Sequence, residues 1–492
     1  MKIFDELTLE LRAMPGPRWQ GSVTATAGRT LLVEGLETRL AVGDICQIMR
    51  RDGTQLQAEV IGFRDGQSIV MPLQDMDGIS HGCKVMFDGA YFSVRPHDGW
   101  LGRVVNALGQ PIDGLGPLPQ GEFVLPLRNT PPNAMSRRPV GGKIQTGIKV
   151  IDLFTPLCRG QRMGIFAGSG VGKSTLLSML LRHSESTVNV IGLIGERGRE
   201  VREFINGLGR AGLEKSIIVA ATSDESPLMR KQASYLTLAL AEDQRKRGRQ
   251  VLCVMDSVTR FAMAQREIGL AAGEPPTAKG YPPSVFSELP KLLERAGPGI
   301  NRQGDVTGIF TVLVDGDDHN EPISDAVRGI LDGHMVLSRK LAEKGRFPAI
   351  DLLRSLSRML PDCHNDWENA VYRAARKWMA IYEEREDLIR LGAYKQGSDP
   401  DVDQAIAYYP RLEDFCRQST HDHANQMEAF ETLAAIIEFS DPPPHHHDGE
   451  QDQSKWRKDD QKSEVRTGTV LGPDESGPLA MTADHRPAVM DS

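Results

Sequence analysis

The sequence contains few cysteines, and none is placed as a metal site or a redox motif would need. Six cysteines are spread over the 492 residues, at Cys46, Cys83, Cys158, Cys253, Cys363 and Cys416. Zinc sites and dithiol centres use closely spaced cysteine pairs, and this sequence has no such pair. The spacing therefore excludes those centres and predicts reduced core thiols in a cytosolic protein.

Long apolar runs and an excess of basic charge are also missing. No window supplies the roughly 18 continuous apolar residues of a membrane span. Asp5, Glu6 and Glu10 stand where a signal peptide would have a basic start and an apolar stretch. The formal net charge is −8, and such a field repels phosphodiester backbones. We therefore expect a cytoplasmic protein with at most peripheral membrane contact and no nucleic-acid partner.

The chain is long enough for about three domains, because single hydrophobic cores stop growing well below this length. Short β-rich runs separated by Gly or Asp predict a small antiparallel β-barrel over residues 19–90. Residues 91–139 are rich in Gly and Pro, which predicts a linker. Residues 140–362 alternate apolar strands, glycine turns and helices. Their nearly continuous apolar runs indicate an α/β P-loop (RecA-like) core with a mainly parallel sheet buried on both faces.

Two helical stretches, at 367–391 and 412–437, predict a helical C-terminal domain over residues 363–440. Residues 441–492 hold few large apolar residues, which predicts a disordered tail. Its three consecutive histidines fit a solvated low-complexity patch better than a metal site, and we assign them no function.

Residues 1–18 contain apolar side chains at spacings of three and four. These are Ile3, Phe4, Leu7 and Leu11. They would line one face of a short helix, opposite Glu6 and Glu10. A helix this short is marginal in water and must dock, either on its own barrel or on a partner. Only Lys2 and Arg12 are basic here, which favours a protein partner over anionic lipid.

The strongest local signal is a glycine-rich loop between an apolar strand and a helix. In order, its residues are Ala167, Gly168, Ser169, Gly170, Val171, Gly172, Lys173, Ser174 and Thr175. Such a loop closes its backbone N–H groups around phosphate oxygens, while Lys173 reaches the β- and γ-phosphates and the Ser174 hydroxyl can bind Mg²⁺. Ala167 replaces the first glycine of the strict motif. The pattern predicts a P-loop that binds ATP with Mg²⁺.

Two acidic residues follow other apolar strands. Asp256 ends the run 251–256, where P-loop proteins place a carboxylate that holds Mg²⁺ through water, although a helix cap fits the same position. Glu196 follows the strand that ends at Ile194, at the edge where α/β sheets bind ligands. It can orient or deprotonate the water that attacks the γ-phosphate, but a salt-bridged residue at the start of the next helix is equally compatible.

The motifs and their order resemble those of the rotary ATP synthase α and β subunits. They are the P-loop, Gly-Glu-Arg-Gly-Arg-Glu at 195–200, Met-Asp-Ser-Val-Thr-Arg-Phe-Ala at 255–262, and the segment 348–358. Within that family, the segments at 264–270, 273–281 and 315–322 look most like those of type III export ATPases. The segments at 164–174 and 330–334 are typical of the flagellar branch. The resemblance covers residues 20 to 440.

The resemblance implies further roles for individual residues. Glu196 matches the catalytic glutamate, and Arg197 matches the neighbouring arginine that contacts the γ-phosphate. Arg358 matches an arginine that one subunit offers to the nucleotide of the next, although an interface or surface arginine paired with a carboxylate is the alternative. Phe347 matches an aromatic residue that stacks on adenine, where a core aromatic is the alternative. Together with Gly168 to Thr175, Phe347 completes the expected ATP-binding set.

The resemblance also implies an assembly, partners and a function. The family forms hexamers with nucleotide sites between neighbours, so we expect a homohexamer that hydrolyses ATP to support type III export of flagellar proteins. The expected partners are a stator-like regulatory protein at the N-terminal helix, the export gate, chaperones and export substrates, at the inner face of the cytoplasmic membrane. The alternatives are a virulence-type secretion ATPase and a non-catalytic nucleotide-binding ring subunit. The carboxylate of Glu196 favours a catalytic subunit, because non-catalytic subunits have glutamine there.

Overall fold

The computed structural model describes residues 18–89, 91–314 and 321–441. The predicted partner-binding helix over residues 1–18 and the predicted tail over residues 441–492 lie outside these ranges, apart from one boundary residue each. Within the described ranges, no helix combines the length and the hydropathy that a membrane span requires.

Six antiparallel strands form a closed barrel near the N-terminus. They are β1 (Trp19–Ala27), β2 (Thr30–Glu34), β3 (Ile45–Met49), β4 (Gln55–Arg64), β5 (Gln67–Pro72) and β6 (Lys84–Phe87). Their order is β1-β2-β5-β4-β3-β6, and pairing of β6 with β1 closes the barrel. Alternate residues point inward, so Ile48, Leu56 and Val60 are fully buried. The predicted antiparallel barrel is confirmed.

The Gly and Pro content of residues 91–139 predicts a linker. In the structure this segment contains short strands, one of which joins the central sheet. The strands are β7 (Ser93–Val94), β8 (Val104–Val105) and β9 (Leu125–Pro126). β7 pairs with β9, whereas β8 pairs in parallel with Ile218 and Val219 of the central sheet. Trp100 is buried, and its Nε1 donates to the carbonyl oxygen of Pro119 over 2.8 Å. The glycines and prolines therefore make turns between short apolar stretches that extend the core.

A nine-stranded, mainly parallel sheet forms the central domain. After a small β10–β11 ribbon (Lys143–Ile144 and Leu157–Cys158), its strands are β12 (Arg162–Ala167), β13 (Val188–Glu196), β14 (Ser216–Thr222), β15 (Val251–Asp256), β16 (Gly297–Pro298), β17 (Asp305–Leu313), β18 (Gly333–Leu337) and β19 (Ile350–Ser357). The order is β19-β18-β12-β17-β15-β13-β14-β8, with β16 on β17. Only β16 and the edge strand β19 run antiparallel to their neighbours. The parallel sheet predicted from apolar runs is confirmed.

Eight helices accompany this sheet in the described residues. They are α1 (Lys149–Phe154), α2 (Lys173–His183), α3 (Gly198–Glu214), α4 (Pro227–Lys246), α5 (Val258–Ala272), α6 (Pro283–Leu293), α7 (Pro322–Ile330) and α8 (Arg339–Glu343). Helix α4 is buried along almost its whole length. It also carries the ion pair that joins the core to the barrel, because Lys231 Nζ lies 2.8 Å from Glu59 Oε1 on β4. Gln232 donates to the other oxygen of Glu59 over 2.9 Å.

Three helices form the C-terminal domain. They are α9 (Asp366–Arg390), α10 (Pro400–Phe415) and α11 (Gln426–Ile436). Asn365 and Glu368 form a capping box that begins α9. The helical domain is confirmed, but the stretch predicted at 412–437 is interrupted. Helix α10 ends at Phe415, and the connection to Asn425, which caps α11, bonds to the core instead of continuing a helix.

Candidate active site

The P-loop joins β12 to α2 at the edge of the sheet where the parallel strands end. Gly170 and Gly172 have φ values of 79° and 93°, a region that glycine adopts without strain. Helix α2 begins at Lys173. Gly168 is buried, while Ser169, Gly170, Ser174 and Thr175 are exposed. The helix N-terminus and its free N–H groups are therefore open to a phosphate group.

Lys173 lies between two carboxylates. Its Nζ forms an ion pair with Asp256 Oδ1 and lies 3.4 Å from Glu196 Oε1. Only 12% of the lysine side chain is exposed. Burial acts to lower the pKa of Lys173, but the charges of Asp256 and Glu196 outweigh burial and raise it. The structure therefore brings together three residues that are 83 positions apart or less in the sequence, and keeps the lysine charged.

Asp256 is buried at the end of β15. Its Oδ1 accepts a hydrogen bond from the Thr311 hydroxyl over 2.6 Å, from the neighbouring strand β17. The residue that caps α5 is Ser257, whose side chain accepts from the backbone N–H of Arg260. The carboxylate of Asp256 thus faces Lys173 and is not engaged as a helix cap.

Glu196 is the last residue of β13, next to a bulge in the pairing with β14. Burial raises its pKa to about 7; Lys173 acts to lower the pKa, and Asp256 and Glu200 act to raise it. Glu200 shares a hydrogen bond with Glu196 and has a lowered pKa. A carboxyl group with a pKa near neutral can accept or release a proton under working conditions.

Phe347 lies beside the P-loop. A Cβ atom built on Gly172 would be 3.4 Å from Cδ1 of its ring, and 46% of Phe347 is exposed. The ring therefore does not belong to the core. It lines a cavity of about 430 Å³ together with Thr175, Met179 and the segment 418–420. An open aromatic face beside a P-loop suits a planar base.

Neither predicted arginine forms an ion pair with Glu196 or Asp256 in the described part of the chain. Arg197 precedes α3, is 75% exposed, and pairs with Glu200 over 2.9 Å. Arg358 directly follows β19 and is exposed. Its backbone N–H donates to the carbonyl of Asp332, but its side chain has no ion-pair or hydrogen-bond partner in the described part of the chain. The surface pair expected as the alternative for Arg358 is therefore not formed there.

The residues near the P-loop fit a magnesium ion that accompanies a nucleotide. The Ser174 hydroxyl is exposed on the first turn of α2, and the carboxylate of Asp256 points to the Lys173 side of the same loop. Hydroxyl, carboxylate and phosphate oxygens are the ligands that Mg²⁺ prefers, and it usually keeps several waters. Bound with ATP, the ion would neutralise charge on the β- and γ-phosphates.

Three family models match successive parts of the chain. They are the beta-barrel domain of the ATP synthase alpha/beta family at residues 23–89, the nucleotide-binding domain of that family at 147–357, and the T3SS EscN ATPase C-terminal domain at 366–435. The "Flagellum-specific ATP synthase" of Caulobacter vibrioides is 53% identical over 424 residues, which are 85% of this chain and 96% of that protein. The chain belongs to the ATP synthase alpha/beta family, in its type III export branch.

Type III secretion ATPases, as well as flagellar proteins, are similar to this ATPase. The "Type 3 secretion system ATPase" of Xanthomonas euvesicatoria is 45% identical over 433 residues, covering 88% of this chain and 96% of that protein. The assembled ATPase EscN of enteropathogenic E. coli, in complex with its central stalk EscO, is 38% identical with a TM-score of 0.76, and the match covers 85% of this chain and all of that chain. The resemblance stated from the motifs is confirmed, and the chain is an ATP-hydrolysing enzyme.

The structure adds three polar residues to the site that the sequence does not single out. Thr311 bonds Asp256, Glu200 bonds Glu196, and Gln418 lines the cavity beside Phe347. Thr311 interrupts an apolar strand, and Glu200 ends the acidic and basic motif at 195–200, so a signal for each exists in the sequence. Gln418 gives no such signal, because it comes from a different domain and reaches the site only in the folded chain.

Proposed function

We propose that this ATPase hydrolyses Mg²⁺-bound ATP to support type III export of flagellar proteins during flagellum assembly. The observation that carries the proposal is the placement of Glu196, a carboxyl group with a pKa near 7, within 3.4 Å of the P-loop lysine. A group at that position and with that pKa suits the activation of water beside a γ-phosphate. The flagellar assignment is supported by the higher identity to the Caulobacter protein than to the Xanthomonas and EscN proteins.

In this proposal each residue of the site has one task. The loop from Gly168 to Thr175 binds the phosphates, and Lys173 turns from the carboxylates to the β- and γ-phosphate oxygens. Ser174 holds Mg²⁺ directly, and Asp256 holds it through water. Glu196 orients or deprotonates the attacking water, Arg197 contacts the γ-phosphate, and Phe347 stacks on adenine.

We further propose a homohexamer in which Arg358 serves the nucleotide of the neighbouring subunit. The sheet supports this, because Ala167 beside the P-loop pairs with Leu337, whereas Ser357 pairs with Gly333, four residues further back along β18. That offset separates the end of β19 from the subunit's own P-loop by about 13 Å along the strands. The side chain of Arg358 is exposed and has no partner among the described residues, which supports a role at the nucleotide of a neighbouring subunit.

The two alternative functions require different residues at the site. A non-catalytic ring subunit needs nucleotide binding alone, and the carboxylate at Glu196 argues against it, since binding does not require a water-activating group. A virulence-type secretion ATPase would use the same chemistry. It is disfavoured by the identities given above, and the test in cells described below distinguishes it.

We propose that the partners are a stator-like regulatory protein, the export gate, chaperones and export substrates, with the enzyme in the cytoplasm and peripheral at the inner face of the cytoplasmic membrane. The complex of EscN with its stalk protein supports a regulatory partner. The apolar stripe of residues 1–18 is the expected site for the stator-like protein.

Deleting residues 2–12 should abolish co-purification of the stator-like protein, while the melting temperature and nucleotide binding of the ATPase stay nearly unchanged. A truncated chain that retains the partner, or that melts several degrees lower, would assign the stripe to the protein's own core.

Replacing the proposed base should separate binding from turnover. Glu196→Gln should bind ATP normally but hydrolyse it about two to four orders of magnitude more slowly, because the amide cannot accept the proton. In the wild type, kcat/KM should rise with pH through about 7, because Glu196 must lose its proton to act as a base. The variant should lack that rise. Turnover near the wild-type rate, or an equal loss of binding, would remove Glu196 from the mechanism.

The trans role of Arg358 can be tested by mixing two inactive variants. Arg358→Ala should lose about three or more orders of magnitude of turnover, and Lys173→Ala should lose nucleotide binding. Mixed rings contain some interfaces with an intact lysine on one side and an intact arginine on the other, so partial activity should return. Co-assembled rings without any recovered activity would contradict the role in trans.

The cellular function can be tested by replacing the gene in the source organism. Deletion should abolish swimming and filament formation, and the wild-type gene, but not one encoding Glu196→Gln, should restore both. Glu214→Gln is a matched control that should restore both, since it removes an exposed carboxylate of α3 that pairs with Arg210 and lies outside the site. Normal swimming of the deletion strain, with loss of another secretion phenotype, would assign the enzyme to the virulence branch.

A further inference from the structure

Gln418 ties the C-terminal domain to two different parts of the central domain. Its side-chain amide donates to the carbonyl oxygen of Gly147 over 2.7 Å and to that of Asp422 over 2.9 Å. Its Oε1 accepts from the backbone N–H of Lys149 over 2.9 Å. Its own backbone N–H donates to the carbonyl of Phe347 over 2.9 Å. One residue on the connection between α10 and α11 therefore holds both the start of α1 and the segment that carries the aromatic ring.

The turn at Thr146 and Gly147, to which Gln418 is hydrogen-bonded, is itself held firmly in the core. The buried carboxylate of Asp152 accepts from the backbone N–H and the hydroxyl of Thr146, and from the N–H of Gly147, over 2.7 to 3.0 Å. Ala424 also donates to the carbonyl of Gly147 over 3.0 Å. A backbone held by this many hydrogen bonds moves little, so Gln418 is anchored to a rigid segment.

The same residue forms part of the wall of the cavity beside Phe347. Gly172 and Thr175 of the P-loop form part of the wall of this cavity, and the segment 418–420 forms another part. Arg182, on the P-loop helix, donates to the carbonyl of Thr420 over 2.9 Å and holds the far end of that segment. The separation between these walls decides how closely a planar base is enclosed.

Gln418 has little capacity to bind a ligand itself. The residue is 9% exposed, and both hydrogens of its amide are already donated to backbone carbonyls. A side chain whose donors are used in this way acts through the groups that it holds. Its contribution to a nucleotide site is therefore positional.

We infer that Gln418 is a positioning residue that sets the width of the base cavity and thereby the preference of the enzyme for purine nucleotides over pyrimidine nucleotides. The inference rests on the proposed function, because it takes the cavity beside Phe347 as the base site. A purine fills more of the cavity than a pyrimidine and gains more from close walls. The triphosphate is held by the P-loop, which Gln418 does not contact through any hydrogen bond.

The test is Gln418→Met, which keeps the approximate volume of the side chain and removes its three hydrogen bonds. KM for ATP should rise about 10- to 100-fold. Each of the three lost hydrogen bonds corresponds to about a tenfold change or less in an equilibrium constant. The value of kcat should stay within about threefold. KM for CTP and the inhibition constant of tripolyphosphate should each change less than about threefold. Gln418→Glu, which keeps the shape and the acceptor but not the donors, should show the same selective loss.

A matched control separates positioning from general destabilisation. Asn369 is buried in α9, and its amide donates to the carbonyls of Pro361 and His364 over 2.9 and 3.1 Å, but it does not line the base cavity. Asn369→Leu should lower the melting temperature as much as Gln418→Met does, without changing the ratio of the KM values for ATP and CTP. Equal changes for ATP, CTP and tripolyphosphate in the Gln418 variants, or an unchanged ratio, would overturn the inference.

A second measurement keeps this outcome distinct from failure of the proposed function. Binding of fluorescent purine and pyrimidine nucleotides can be titrated without turnover. If the wild type binds the purine analogue more tightly and Gln418→Met removes that difference, the inference stands even if no hydrolysis is found. If the wild type hydrolyses ATP but both proteins bind the two analogues alike, the inference is wrong and the proposed function is unaffected.

Discussion

The organisation of the candidate active site depends on the ammonium group of Lys173, which is buried between the carboxylates of Asp256 and Glu196. A lysine with so little exposure keeps its charge only if anionic groups lie close to it. The two carboxylates come from the ends of β15 and β13, which are adjacent strands, and the lysine comes from the loop after β12. The order of strands in the sheet is therefore what allows one cation to be shared by two acids.

The same arrangement controls the basicity of Glu196. Burial and the nearby carboxylates favour the protonated form, while the lysine favours the ionised form, and the pKa lies at about 7. A lysine that turns to phosphate oxygens takes its positive charge away from Glu196, and the carboxylate then becomes a stronger base. In the proposed mechanism, the charge that neutralises the phosphates and the base that activates the water are thus physically coupled, because both depend on where one ammonium group lies.

How far the sequence predicts the structure depends on how local each feature is. The P-loop is contiguous, and Asp256 and Glu196 each end an apolar run, so short patterns locate them. Thr311 and Gln418 act through partners that are 55 and up to 271 positions away, and no local pattern encodes such pairs. Val104 and Val105 form too short a run to be recognised as a strand, although they extend the sheet. The helix predicted over residues 1–18 lies outside the described residues and stays a prediction.

The edge strand β19 connects the two halves of the proposed catalytic interface. It starts at Ile350, just after Phe347, and ends at Ser357, just before Arg358. Because β19 runs antiparallel to β18, its start lies at the P-loop edge of the sheet and its end at the opposite edge. The register shifts between Asp351 and Leu356, so the end of β19 pairs four residues back along β18 from its start, about 13 Å along the strands. This offset supports the proposal that the aromatic ring serves the subunit's own nucleotide and the arginine that of a neighbour. A parallel strand at this position would reverse the two ends, and the antiparallel direction of β19 is therefore a requirement of the proposed dependence of each site on a neighbouring subunit.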